Sequence, residues 1–360
     1  MFLKSLILRN FRNHSDLELS FSPTINLIVG NNGIGKTNLL EAIHLLSTGR
    51  SFRTNQLQEL IGHGYGHFYL EAHFIKDEIS QTLKIGYDGQ AKKIDYNATS
   101  LSSFSNLLGI LPSVLYAPKD IALIMGSPDD RRRFLNLYLS QKDPLYVYHL
   151  LRYTKALKHR NLLLKKGSTI DPLEIECFEK EMANSALHLM YERSAALSVF
   201  ETKITSLIPT LTHKEISPSS EKFSIQYQPS LSIQKGLSKE TLSEQYKKYR
   251  KKEILLGTSL IGPHRDDFAI SLNSYLAKNF CSEGQKRSFL SALKIAEWSL
   301  LLENHQKKPL MCIDDIGMHL DPSRFSLLEK AINHLGQVFL TSPEDLPDLE
   351  SHQNAKIIRL

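Results

Sequence analysis

Cysteine is scarce: Cys177, Cys281 and Cys312 are the three in a chain of 360 residues. They are widely spaced and form no Cys-x-x-Cys pair, so neither a disulfide framework nor a zinc site can be built from them, and a reducing cytoplasm is the expected setting. Long apolar runs are missing as well. No stretch approaches the roughly 20 apolar residues needed to cross a bilayer, and Met1-Phe2-Leu3-Lys4 lacks the basic-then-apolar pattern of a signal peptide. No membrane partner is expected. Internal repeats, low-complexity tracts and sustained heptads are absent too, which argues against solenoids and a long coiled coil. Charge is nearly balanced: 44 Lys+Arg against 38 Asp+Glu leave +6, an excess that permits nucleic-acid binding without demanding it. Hydrophobic content of 41% is ordinary for a globular protein. The length suggests two lobes, or a domain carrying a large insertion.

What is present is concentrated chemistry. Gly30-Asn31-Asn32-Gly33-Ile34-Gly35-Lys36-Thr37 matches Gly-x-x-x-x-Gly-Lys-Thr, the phosphate-cradling P-loop. Such a loop needs a buried strand to deliver it and a helix starting at its end, so that free N–H groups and the positive helix terminus face a triphosphate. Ile25, Leu27, Ile28 and Val29 supply the strand. From Asn38 onward, Leu39, Ile43 and Leu46 recur at helical spacing. In this setting Lys36 neutralises the β- and γ-phosphates of ATP and the Thr37 hydroxyl ligates Mg2+.

Two alternating segments, Leu3 to Arg9 and Leu17 to Phe21, place two strands ahead of the P-loop strand. The polar turn between them, Asn10-Phe11-Arg12-Asn13-His14, can approach a bound nucleotide or simply be solvated. Beyond the P-loop helix, Arg50 and Arg53 sit in a loop where they can meet phosphate, of DNA or nucleotide. Strand-like segments at His67–Ile75, Gln81–Tyr87 and Lys92–Tyr96, with Asp88-Gly89 as a hairpin turn, form an antiparallel sheet appended to the core. From Ser102 the pattern turns helical. Ser127 and Pro128 open one helix as N-cap and first position. Leu150 to Lys166 is a basic amphipathic helix whose Lys155, Lys158 and Arg160 can lie along a phosphate backbone or be a solvated face. Leu173 to Ile208 continues as helix, broken by Pro209. The polar stretch 213–242 reads as irregular or strand-bearing. Lys247, Lys248 and Arg250, interleaved with Tyr246 and Tyr249, offer a second possible DNA contact.

Near the end, Leu310 to Ile313 is a short apolar run closing on Asp314 and Asp315, one carboxylate for the metal and one for the attacking water. Just upstream, Ser282 and Gln285 have the spacing of a capping box. The same serine, with Gly284 beside it at a helix N-terminus, also suits a γ-phosphate held by a partner's P-loop.

Ser282-x-Gly284-Gln285 resembles the signature motif of ABC-type ATPases, in the order used by their DNA-repair and chromosome-structure branch. The separation 314 − 36 = 278 residues is too short for the coiled coil of SMC-type proteins. A compact insertion instead resembles the RecF family of bacterial recombination proteins. So do Leu8 to Asn13, Gly49 to Arg53, Gly126 to Leu135, His159 to Asn161, Leu164-Lys165 and Gly262 to Phe268. The resemblance implies an α/β ABC-ATPase head, with a P-loop core sheet and an antiparallel β subdomain, over 1–110 and 255–360. A mainly helical lobe is inserted over 111–254. It implies an ATP-dependent homodimer on gapped or double-stranded DNA, affinity for RecR, and help to RecA loading alongside RecO, while Asp315, one methylene shorter than the glutamate common in transport ATPases, predicts slow ATP hydrolysis. In the homodimer each ATP lies between Lys36 and Thr37 of one chain and Ser282 and Gly284 of the other. Two positions depart from the family pattern: Met318 stands where serine is usual, and Asn136 where aspartate is.

Overall fold

The computed structural model describes residues 1–169, 171–212, 222–231, 238–315, 334–344 and 355–360. Met318 and parts of the 213–242 stretch lie outside them. The chain divides into two compact units: one comprises Met1–Asp120, Leu207–Ile216 and Ser288–Leu360, the other Ile121–Ser206 and Ser217–Arg287.

The first unit opens with β1 (Phe2–Phe11), β2 (His14–Ser20) and β3 (Ile25–Val29), followed by α1 (Lys36–Thr48), β4 (Phe68–Lys76), β5 (Ile79–Tyr87), β6 (Lys92–Tyr96), β7 (Thr99–Ser100) and β8 (Ser113–Tyr116). The second holds α2 (Ala122–Met125), α3 (Pro128–Lys142), α4 (Pro144–Leu164), α5 (Pro172–Thr212) as far as Ser206, its end from Leu207 falling to the first unit, then β9 (Phe223–Gln228), α6 (Lys239–Leu256), β10 (Asp267–Leu272), β11 (Tyr275–Leu276) and α7 (Ala277–Phe280). The chain returns to the first unit within α8 (Glu283–His305), then forms β12 (Leu310–Ile313), β13 (Val338–Ser342) and β14 (Lys356–Arg359).

Two sheets build the first unit. One is parallel, in the order β14-β3-β13-β12-β8; the other runs β2-β1-β4-β5-β6-β7 with antiparallel pairing. Every residue of β3, β12 and β13 is buried, as the continuous apolar runs require of strands covered on both faces. Strand β4 instead alternates, with Phe68, Leu70, Ala72 and Phe74 inward. Helix α1 packs on β1, β4 and β5 of one sheet and on β8 and β13 of the other. Nearly all its residues are buried for that reason, Glu41 and His44 included. The β4–β5 hairpin turns on Asp77 and Glu78, both at positive φ (54° and 63°), a two-residue turn that the sequence reading passed over.

Both junctions fall later than the sequence drew them, at Asp120/Ile121 and Arg287/Ser288. β8 is a short apolar strand that completes the parallel sheet by pairing with β12, so it belongs to the head and not to the insertion. β10 pairs with β9 and so stays in the second unit. α5 also runs through Pro209 to Thr212 instead of stopping, although the proline removes one ladder N–H there.

Arginines buried to the last atom tie the second unit together. The Arg160 guanidinium donates to Glu179 (2.9 Å), Glu253 (2.6 Å) and the Ser259 hydroxyl (2.7 Å). Arg193 donates to Asn136 Oδ1 (2.9 Å), the Tyr146 hydroxyl (3.1 Å) and the Pro263 carbonyl (2.6 Å). Asn136, unusual against the family pattern, thus serves as an acceptor, and Tyr146 donates to it as well at 2.7 Å.

Gly262 to Phe268 is the knot of this network. A Cβ at Gly262, where φ is +120°, would stand 2.3 Å from the Tyr153 hydroxyl, so only glycine fits. Asp266 accepts from Tyr227 and Ser230, and Asp267 pairs with Arg131. His264 Nδ1 lies 2.7 Å from the Tyr153 hydroxyl and its Nε2 3.2 Å from the Ser259 carbonyl, the pattern of a satisfied neutral imidazole. Burial pushes His264 down from 6.5 to about 4. The unfolded chain therefore binds the extra proton across that window. Stability is complete above about pH 6.5 and is lost as pH falls, by about 2 kcal/mol at pH 5. His44, pushed down to about 3 by burial, adds to the same slope. Thermal midpoints measured across that range are expected to fall, and less steeply for His264→Gln; equal slopes would show that His264 is not responsible.

Candidate nucleotide-binding site

The P-loop hangs between β3 and α1, and its geometry is dictated by close approach. Gly35 has φ +118°, and a Cβ there would lie 2.5 Å from His14 Nε2 and 2.6 Å from Asn13 Oδ1. The β1–β2 turn thus presses on the loop instead of facing solvent. Asn13 donates to the Ile34 carbonyl (2.7 Å), His14 Nε2 lies 3.1 Å from the Gly35 carbonyl, and Asn38 donates to Asn13 (2.7 Å). Burial lowers the His14 pKa, which favours a neutral ring whose Nε2–H donates. Arg12 is committed elsewhere, as a two-pronged partner of the buried Glu41 at 2.9 and 2.8 Å.

Lys36 is 9% exposed, and its ammonium donates to the carbonyls of Gly30 (2.5 Å) and Asn31 (3.1 Å), within the loop it is to serve. The Thr37 hydroxyl donates to Asp314 at 2.9 Å. Thr341, at the same end of the sheet on β13, donates to Asp314 at 2.9 Å and accepts the Asp315 N–H at 2.7 Å. The sequence reading missed Thr341. Its signal was the apolar run Val338–Leu340, a strand ending in hydroxyls beside the acidic strand end. No side chain caps α1, whose N-cap is Gly35, so its first-turn N–H groups and positive end remain available to an anion.

The Asp314 pKa is raised, first by burial and further by neighbouring Asp315, against the hydroxyl hydrogen bonds from Thr341 and Thr37. A half-buried carboxylate next to a threonine hydroxyl and a second acid is a donor set that a divalent cation would complete, because the cation removes the charge penalty that raises the pKa. The residues therefore fit ATP with Mg2+. Gly30 to Asn38, Asp314 and Asp315 are brought together in one unit.

Ser282, Gly284 and Gln285 lie in the other unit. There Gln285 N–H donates to Ser282 Oγ (3.2 Å) and Ser282 N–H to Gln285 Oε1 (2.8 Å), a formed capping box that opens α8. Ser282 itself is exposed.

The candidate DNA contacts separate sharply. Arg50, Lys155, Lys158 and Lys248 are exposed. Arg160 is corrected: it is wholly buried among carboxylates and cannot touch a nucleic acid. Arg250 is half-buried and held by Glu179 at 2.5 Å, so both arginines neutralise acids on neighbouring helices. Lys247 pairs with Glu176 (3.2 Å) while staying largely exposed, and Arg53 donates to Asn38 (2.5 Å) and reaches Glu41 (3.5 Å).

A P-loop between a parallel sheet and an antiparallel one, completed by an acidic strand end, defines an ATPase head of the ABC type. Residues 2–348 match the family model described as the RecF/RecN/SMC N-terminal domain. DNA replication and repair protein RecF of Protochlamydia amoebophila is 43% identical over 96% of this chain and 94% of its own length. The protein of that name from Chlamydia abortus is 40% identical over 95% and 92%. A solved structure described as the recombination mediator protein RecF with ATP, in the RecFOR pathway, is 31% identical, with a TM-score of 0.88 and coverage of 96% and 93%. An Smc head bound to the C-winged helix domain of ScpA is similar at a TM-score of 0.54 and 15% identity, over 96% and 91%, a likeness of fold alone. The chain belongs to the RecF family within this group of ATPases.

Proposed function

We propose that the chain is an ATP-gated DNA clamp of recombinational repair and replication restart, acting in the cytoplasm as a head-to-tail homodimer. The observation carrying it is the cluster of Lys36, Thr37, Asp314 and Thr341 under an uncapped helix, paired with an exposed Ser282 at the start of a second helix. Lys36, freed from its loop carbonyls, holds the β- and γ-phosphates; Thr37 and Asp314 hold Mg2+. The ion, when bound, offsets charge developing on the transferred phosphoryl group. Asp315 orients the attacking water and takes its proton. Its backbone is in the left-handed region, at φ 58°, and its side chain is one methylene shorter than a glutamate. Turnover is therefore slow, well under the enzyme median of about 10 s⁻¹. Ser282 and Gly284 of the second copy close on the γ-phosphate, so ATP joins two subunits and hydrolysis parts them. DNA with a gap or duplex is the substrate surface, RecR the direct partner, and RecA loading with RecO the outcome.

Tyr275 and Phe280, 60% and 65% exposed with ring centroids 5.0 Å apart, stand just before Ser282 and give this interface an apolar anchor. The test is sedimentation with gapped duplex, with and without ATP and Mg2+. The wild type is expected to form an ATP-dependent dimer on DNA, and Ser282→Arg to bind ATP yet stay monomeric. A Ser282→Arg protein that dimerises normally would rule out the shared nucleotide.

A further inference from the structure

At the end of α1 remote from the P-loop, the same helix opens onto a second pocket, of about 350 Å³. Its lining runs back alongside the helix, where Ser51 donates to Glu41 and the adjacent Arg53 to Asn38, yet no residue of the phosphate loop lines the pocket, which makes it a site apart from the P-loop cradle. Arg50 and Lys92 line it, with Phe104 and Leu57 as apolar surface and the amides of Asn55 and Gln56. No aspartate or glutamate lines it. Among the described residues neither cation has an anionic partner. The neighbouring cations are different: Arg12 and Arg53 are both drawn to Glu41, the one acid of α1. Lys92 instead rests its ammonium 4.2 Å above the Phe104 ring.

Two uncompensated cations next to an apolar, partly aromatic floor make a site for an anion that carries a flat apolar body. The volume is at the lower end of the ~300–1,000 Å³ of small-ligand pockets, the size of one nucleotide unit. Neutral amides beside the floor can pair with base edges, and a guanidinium with an ammonium can share one phosphate. A base still paired in a duplex cannot enter, because its face and edge are already used.

We propose that this pocket holds one unpaired nucleotide of a DNA strand, with its phosphate between Arg50 and Lys92 and its base against Leu57 and Phe104. The proposal rests on the reading of the chain as a DNA clamp and gives that clamp a means of telling gapped from fully paired DNA.

The test is fluorescence anisotropy with ATP and Mg2+, on a gapped duplex and on a fully paired duplex of equal length. Arg50→Ala with Lys92→Ala is expected to weaken the gapped DNA about tenfold and the paired DNA less than about twofold, and to lower the salt slope on gapped DNA by about 1. Arg50→Lys should recover most of the loss. Lys4→Ala, which removes an exposed charge of the same unit, should leave the preference intact. Nucleotide binding by the double variant, measured separately, should equal that of the wild type and certify the fold. Equal losses on both DNAs, or none, would overturn the pocket while leaving the clamp standing. Displacement of gapped DNA by low concentrations of deoxyadenosine monophosphate would make a free nucleotide the ligand and overturn the strand. A wild type that retains neither DNA would bring down the clamp itself, and the pocket with it.

Discussion

Replacing Arg160 with methionine is expected to destabilise the second unit by about 3–5 kcal/mol, although a positive charge on a basic helix looks expendable in sequence. The side chain is 0% exposed and makes hydrogen bonds to Glu179, Glu253, Ser259 and the Tyr246 carbonyl. Methionine fills much of the volume, so the cost is not a cavity. It is the carboxylate left behind: Glu179 keeps Arg250 at 2.5 Å, whereas Glu253, also 0% exposed, keeps only the Leu260 N–H at 2.7 Å. An uncompensated buried charge is expensive, and removing it should restore stability. Arg160→Met with Glu253→Leu is thus expected to recover most of the loss. Lys158→Met, two residues away and exposed, should stay within about 0.5 kcal/mol. Hydrogen exchange of α4 and α6 amides in urea follows the second unit. The single tryptophan, Trp298, lies in the first and serves as an internal control. A loss below about 1 kcal/mol for Arg160→Met would mean that the network is solvated in solution and contributes little.

The same residue shows where sequence is readable and where it is not. The P-loop was legible because its chemistry is local: glycine conformations, the lysine, the threonine, a strand before and a helix after all fall within 24 residues, Ile25 to Thr48. The capping box at Ser282 and Gln285 and the proline-led start of α3 were legible for the same reason. Arg160 was misread because its partners, Glu179 and Glu253, are 19 and 93 residues away, and helical spacing carries no trace of them. Lys155 and Lys158 share its helix and its charge yet face solvent. Gly262 to Phe268 was noticed as a family pattern with no role, since its work is done on residues of α3, α4, α5 and β9. β8 fell within the stretch read as helical from Ser102, because four residues, Ser113 to Tyr116, are too few to show a period, and only pairing with β12 makes them a strand.

Lys36→Met and Asp315→Asn are expected to part company at the nucleotide, and the pair decides whether hydrolysis or binding is what the clamp uses. Methionine at 36 removes the ammonium that is to meet the β- and γ-phosphates, so ATP binding should largely disappear and hydrolysis fall by about 10²–10³-fold or more. DNA retention should fall with it. Asparagine at 315 keeps every contact with the phosphates and with Mg2+, so binding should persist while turnover drops. It has a second consequence at Asp314. Part of the rise in the Asp314 pKa comes from the Asp315 charge, so neutralising Asp315 eases ionisation of its neighbour. The lower limb of the Mg2+-affinity profile should therefore move to lower pH in this variant, which magnesium titrations at several pH values would detect. If ATP is a timer, Asp315→Asn holds DNA longer than the wild type after free ATP is removed, because the bond between subunits is cut more slowly. Dissociation at the wild-type rate would instead mean that the dimer opens by nucleotide release, with hydrolysis incidental. Rapid release by Asp315→Asn, with ATP still bound, would show that the acid closes the interface directly and does not merely position water.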